Sequence, residues 1–316
     1  MTVFTDNAAN AKALQFGVYL PNVGWDALPS PDDLAAYAVD AEQLGFDSVW
    51  VEDRLLHDQI GMLEAVTTLT FVAARTSKVR LGTSVLLLNL RNRLALAKSL
   101  ATLDYLSGGR LVIGASLGGR PNEYEASGVA MKTRVSRLTN TIRFLRRAWG
   151  EEPDVDPGTQ ADLPMMPRPV QRHIPIWMGG RVDAALARAA TIADGWLASS
   201  TTTAEAFRDG WAQVAAHATA AGRDYETLMP AKFCYIHVDD STERALALLN
   251  SRLPRYYGGA YDAERLAIYG PPERCIEQSK ALINAGVRSL TFASVTDNRA
   301  QLIRIAREVV PALRGI

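Results

Sequence analysis

The chain has 316 residues, 48% of them apolar, and its 34 Lys and Arg balance its 34 Asp and Glu to a formal net charge of zero. That balance excludes the basic excess that a nucleic-acid or polybasic membrane surface needs, so neither partner is expected. The amino-terminal residues lack a basic start and an export-length apolar run, and no apolar segment approaches the ~18 residues of a membrane helix. A cytoplasmic protein is the expectation. Cys234 and Cys275 stand far apart, in no Cys-x-x-Cys pair, and read as free buried thiols.

Along the chain, short β-rich apolar runs alternate with longer helical patterns. The runs are QFGVYL (15–20), DSVWVE (47–52), VRLGTSVLLL (79–88), RLVIGAS (110–116), IPIWMGG (174–180), GWLAS (195–199), AKFCYIHV (231–238) and RSLTFAS (288–294). Each is nearly continuous in apolar character, as a parallel strand covered on its outer face requires. Ser30-Pro31 with Asp32 and Asp33 predicts a capped helix start, and Leu44-Gly45 its stop. Asp183 opens a second helix, and Ser107-Gly108-Gly109 closes another. Eight such alternations predict an α/β protein with a (β/α)8 barrel as one domain over 1–316. A doubly wound open sheet would give a similar alternation.

Two stretches break the rhythm. GEEPDVDPGTQADLPMMPRPVQRH (150–173) has no helical period and is too long for an ordinary barrel loop, which predicts an insertion over the rim. Residues 252–272, with RYYGGAY and GPP, read as a second irregular stretch, a lid or an interface arm.

In such barrels the site is built at the carboxyl ends of the strands. Asp53 and Arg54 follow the second run; Asp53 reads either as an acid/base or as a cap, and Arg54 as its partner or as an anion ligand. Ser116 opens the donor-rich loop after the fourth run. Gly179, Gly180 and Arg181 lead from a strand straight into a helix, where free N–H groups and the helix dipole suit an anion. Ser199, Ser200 and Thr201 add hydroxyls on the neighbouring loop. His57 reads as solvent-exposed, and His173 and His237 as structural. No metal centre is expected, because no cluster of ligands is visible.

GTSVLLLNLRNRLALAKSLATLDYLSGGRLVIG, NEYEASGV and PRPVQRHIPIWMGG followed by ATIADGW occur in that order. Together they resemble the signatures of the bacterial-luciferase-like flavin and deazaflavin oxidoreductases, over about 15–200 and 270–310. The resemblance implies coenzyme F420 or FMN at the carboxyl-end rim, hydride transfer or oxygen activation on a small organic substrate, and a non-prolyl cis peptide at Ser84-Val85 supporting the ring. It places Gly179 and Gly180, with Ser199 and Ser200, near the cofactor phosphate. Many members carry a catalytic histidine where this chain has Arg54, and the deazaflavin sugar-phosphate dehydrogenases a glutamate where it has Gly119. Arg54, oriented by Asp53, is therefore expected to hold an anionic substrate group or the reduced ring. A separate flavin or F420 reductase and further copies of the chain, in a homodimer or higher homo-oligomer, are the expected partners. A non-catalytic flavin-binding barrel is the alternative.

Overall fold

All eight predicted runs become strands of one parallel sheet in the computed structural model, which describes residues 13–151, 165–296 and 299–316. Among the described residues the strands are β1 (Gln15–Tyr19), β2 (Ser48–Val51), β3 (Arg80–Leu86), β4 (Leu111–Ala115), β5 (Ile176–Met178), β6 (Gly195–Ala198), β7 (Met229–Val238), β8 (Ile268–Gly270) and β9 (Ser289–Ser294). Pairing runs in chain order from β1 to β7, and β9 joins β7 to β1. The sheet thus closes on itself into eight strands. Closure rules out the doubly wound sheet, which would leave two free edges. The short β8 lies outside the ring and pairs with the carboxyl end of β7, Ile236–Val238.

The helices cover the ring: α1 (Pro31–Gln43), α2 (Ala65–Ala73), α3 (Arg93–Ser107), α4 (Pro121–Ala126), α5 (Arg134–Ala148), α6 (Asp183–Ile192), α7 (Ala204–Ala220), α8 (Thr242–Tyr257), α9 (Ala263–Leu266), α10 (Pro272–Asn284), α11 (Arg299–Arg304) and α12 (Val310–Arg314). Ser30 caps α1 by accepting the Asp33 N–H at 3.1 Å, and Gly108 closes α3 at φ 69°. The stretch 252–272 is more regular than its composition suggested. Residues 252–257 end α8 despite Pro254, and α9 and β8 follow. Of the expected insertion, 152–164 lie outside the described residues, and 165–173 form neither helix nor strand. Among the described residues no helix is long and apolar enough to cross a membrane.

Apolar side chains fill two layers. Between strands and helices lie residues such as Val49, Val51, Leu69 and Leu100; inside the ring lie Trp50, Val112, Trp177, Leu197 and Tyr235. Trp50 and Trp177 pack with ring centroids 5.2 Å apart. Gly82 makes room for them, since a Cβ there would meet the Trp50 ring at 2.2 Å.

At the amino-terminal end of the ring, His173 bridges Glu151 and Asp194, at 2.7 Å each, while Arg146 binds the same two carboxylates at 2.5 Å. Partial burial alone would lower the imidazole pKa, but the bonds to Asp194 and Glu151 outweigh it and raise His173 from 6.5 to about 9. A raised folded-state pKa stabilises fully below pH 6.5, and that contribution is lost as pH rises through about 9. The unfolding midpoint should therefore fall between these pH values in the wild type, and fall less in His173→Gln. Parallel curves would show that the bridge contributes nothing.

Candidate active site

The side-chain period of a strand sorts the residues at the end of β2. Trp50 lies inside the ring and Val49 and Val51 face the helices, so Glu52 turns inward and Asp53 outward. The β1 end fixes this register: Asn22 accepts the Glu52 N–H at 3.1 Å and donates to the Glu52 carbonyl at 2.9 Å.

Asp53 does not orient Arg54. Its fully buried carboxylate takes both guanidinium nitrogens of Arg91, at 2.7 and 2.9 Å, and the Leu87 N–H at 2.9 Å. Arg54 instead stands 4.0 Å from Glu123 and 5.7 Å from the Tyr256 ring centroid, and its Nε has no hydrogen-bond partner. Glu123 is itself buried and accepts the N–H groups of Leu55 and Leu56 at 2.8 and 3.3 Å, so it anchors the loop that carries Arg54.

Glu52 is buried, and its carboxylate accepts the hydroxyl of Tyr256. Burial raises its pKa from 4.5 to about 7, while the Tyr256 bond and the Arg54 cation pull the other way. His57 is not solvent-exposed, contrary to the expectation from sequence; its side chain is 4% exposed. Its Nδ1 accepts from the N–H groups of Gln59 and Ile60 at 3.2 Å, leaving Nε2 to face the Tyr256 carbonyl at 3.4 Å. It thereby ties the loop after β2 to the end of α8.

These strand ends surround a cavity of about 600 Å³, within the ~300–1,000 Å³ range of ligand sites. All ten residues singled out from sequence line it: Asp53, Arg54, Ser84, Val85, Ser116, Gly179, Gly180, Arg181, Ser199 and Ser200. The Ser84–Val85 peptide is cis. Tyr19 fixes it from below, its hydroxyl 2.6 Å from Ser84 Oγ. Leu87, Leu197, Phe233, Tyr256 and Tyr257 supply apolar wall.

At the other end, Gly179 and Gly180 leave β5 for α6. Gly180 has φ 150°, and a Cβ there would meet that of Ala185 at 2.4 Å; at Gly179 it would make only ordinary contacts, 3.4 Å or more, with Ser116 and Leu197. A side chain at Gly180 therefore disturbs α6 itself, whereas a methyl at Gly179, in the cavity lining, is accommodated by the protein. Facing them, Thr201 Oγ1 lies 2.9 Å from Ser199 Oγ and accepts from Arg181 at 3.0 Å. Buried Lys232 donates to the Ser199 carbonyl at 2.7 Å from behind the loop. Glycine cradle, helix start, hydroxyls and cation form an anion-compatible end, and the rest of the wall is mixed, apolar at Leu87, Leu197 and Phe233 and charged at Glu52, Asp53, Arg54 and Glu123.

Sequence reasoning gave Glu52, Tyr256, Tyr257, Arg91 and Lys232 no individual role in the site. Period-two alternation from Trp50 could have found Glu52. The last two tyrosines of α8 belong to the RYYGGAY stretch that read as a lid or an interface arm. Among the described residues no group of three or more His, Cys, Asp or Glu could hold a metal ion.

The sequence profile of luciferase-like monooxygenases matches residues 14–265. An F420-dependent glucose-6-phosphate dehydrogenase of Amycolatopsis mediterranei is 30% identical over 90% of this chain and 96% of its own. Among solved structures, an F420-dependent secondary alcohol dehydrogenase superposes with a TM-score of 0.82 at 19% identity, covering 95% of this chain and 99% of that one. A monooxygenase from Streptomyces bottropensis gives 0.78 at 23% identity, over 95% and 100%. At those identities the structural likeness is one of fold; the sequence match over four-fifths of the chain places it within the family of luciferase-like monooxygenases, as an oxidoreductase built on their (β/α)8 barrel.

Proposed function

We propose that this chain is a coenzyme F420-dependent oxidoreductase acting on a small, largely apolar organic substrate. The carrying observation is that one cavity combines an anion-compatible end at Gly179, Gly180 and Ser199 with a chamber walled by Leu87, Phe233 and Tyr257 and bordered by Glu52, Arg54 and Glu123. Those features fit a cofactor with a phosphate-bearing tail and a flat ring. The dehydrogenase from Amycolatopsis, alike over nearly its whole length, favours the deazaflavin over FMN. That relative's sugar phosphate is not proposed here, because Gly119 and Arg54 stand where the resemblance implies a glutamate and a histidine.

When bound, the deazaflavin would supply a carbon that gives or takes hydride. The protein's part is placement and polarity. Ser199, Ser200, Thr201 and the α6 start would hold the phosphate, with Lys232 adding positive charge from beneath. Ser84 and Val85 would support the ring, and Leu87, Phe233 and Tyr257 would keep water from the substrate side. Arg54, part-exposed at the cavity wall, would meet an anionic group of the substrate or of the reduced ring.

Fluorescence quenching of coenzyme F420 and of FMN by the purified protein tests this reading. The deazaflavin should bind more tightly. Gly179→Ala should weaken that binding by about tenfold, ~1.4 kcal/mol, with little change in thermal stability, because the added methyl finds ordinary contacts in the protein. Tighter binding of FMN would overturn the cofactor assignment, and unchanged binding by Gly179→Ala would move the phosphate elsewhere.

A further inference from the structure

Three carboxylates line the cavity wall near Arg54, and two of them are committed. Asp53 is held by Arg91 and the Leu87 N–H, and Glu123 by two backbone N–H groups. Glu52 differs. Its carboxyl group receives the Tyr256 hydroxyl, no other side chain among the described residues hydrogen-bonds it, and it lines the cavity, as Val85 and Phe233 do. One oxygen is thus held by Tyr256, and no side chain among the described residues hydrogen-bonds the other.

We infer that Glu52 is the acid–base residue of the redox step, exchanging a proton with the oxygen of an apolar ketone or of its secondary alcohol, with Tyr256 as its positioning residue. The inference rests on the deazaflavin reading, because it needs a hydride partner. In the reductive direction the carbonyl carbon would gain the hydride that a bound reduced deazaflavin supplies, and the carbonyl π pair would move to oxygen. That oxygen takes the Glu52 proton as the carboxyl O–H bond breaks. The deazaflavin is oxidised by two electrons, the ketone is reduced to the alcohol, and the carboxylate left behind is held by the Tyr256 hydroxyl. In the oxidative direction the Glu52 carboxylate removes the hydroxyl proton while hydride leaves carbon. Neither Arg54 nor Arg91 can do this, since guanidinium stays protonated.

The surroundings allow Glu52 to work in both forms. Burial brings it to about 7, against the pull of the Tyr256 bond and of Arg54. The phenols facing it are Tyr19 from β1, Tyr235 from β7, and Tyr256 and Tyr257 from α8, all raised above 10 chiefly by burial, so they stay neutral where Glu52 titrates. His57, behind Tyr256, is pushed below its usual range by burial. A general acid near the working pH suits proton transfer in either direction.

Infrared pH titration of the cofactor-free protein should show a protonated-carboxyl band disappearing with a midpoint near 7, the value at which burial places Glu52. The band should be absent in Glu52→Gln. In Tyr256→Phe its midpoint should rise, because the lost bond favoured the carboxylate. In rapid-mixing assays of hydride transfer between F420 and a panel of apolar ketones and secondary alcohols, Glu52→Gln should slow transfer by ~10²-fold or more and lose the pH limb. Quenching by F420 is measured for every variant and should not change. If the wild type binds no F420, the cofactor reading fails and the infrared titration still judges Glu52. If F420 binds but Glu52→Gln keeps the band or the pH limb, the role assigned to Glu52 is wrong.

Discussion

Replacing Arg54 by alanine is expected to lower kcat/KM by about tenfold or more, ~1.4 kcal/mol of transition-state stabilisation, and lysine at this position should restore part of the loss. The guanidinium stands at the cavity wall with its side chain 22% exposed, and Glu123, its nearest carboxylate, is 4.0 Å away, long for a committed pair. The Arg54 side chain lines the cavity, where its exposed part can meet an anionic ligand. Loss of one preorganised donor to developing charge costs ~2.7–4 kcal/mol, which sets the upper end of the effect. A rim arginine would be worth ~0–1 kcal/mol and would leave turnover unchanged. The variant has a second readout. Arg54 is the cation that helps keep the Glu52 carboxyl from rising further, so alanine should move the pH limb of hydride transfer upward and lysine should move it less. Wild-type kinetics and an unmoved limb in both variants would reduce Arg54 to a surface charge.

The barrel was legible because most strands are largely apolar and several helices carry their own punctuation. Ser30, Gly45, Gly108 and Asp183 mark the boundaries where the sequence suggested them. The short β8 was not legible: three residues, Ile268–Gly270, beside prolines and glycines carry no periodicity, and only the extra length of β7 provides a partner. Residues 252–257 read as irregular because Pro254 removes a backbone donor, yet the helix continues through it to Tyr257.

The site was legible as a set of loops but not as a set of pairs. Every residue singled out at a strand end lines the cavity, since the fold alone puts strand ends at one rim. Which side chains meet across that rim is set by separations of tens to hundreds of residues. Asp53 meets Arg91, 38 positions on, rather than its neighbour Arg54, a pairing made in the loop beyond β2. Glu52 meets Tyr256, 204 positions away, and no local pattern encodes that contact. His57 looked exposed beside Asp58 and Gln59, yet its ring is buried by the end of α8, an element that sequence reading had left without structure.

The Asp53–Arg91 pair should carry one of the largest stability effects in the molecule. The Asp53 side chain is 0% exposed and that of Arg91 14%, with two short bonds between them. Arg91→Met would leave a buried carboxylate with only the Leu87 N–H, and removing one partner of a buried pair costs ~3–5 kcal/mol. The unfolding midpoint should fall by on the order of 10 °C. Asp53→Asn should cost less, because Arg91 keeps Glu64 at 3.0 Å and the Leu87 carbonyl at 3.3 Å and still reaches solvent. The double variant should be more stable than Arg91→Met alone, since the stranded charge is gone. The same variants separate the two adjacent acids chemically. If Asp53 serves only to fix the Leu87 end of β3, Asp53→Asn keeps the pH limb of hydride transfer that Glu52→Gln loses. If Asp53→Asn abolishes that limb while F420 still binds, the proton passes through Asp53, and the inward turn of Glu52 has been given too large a part.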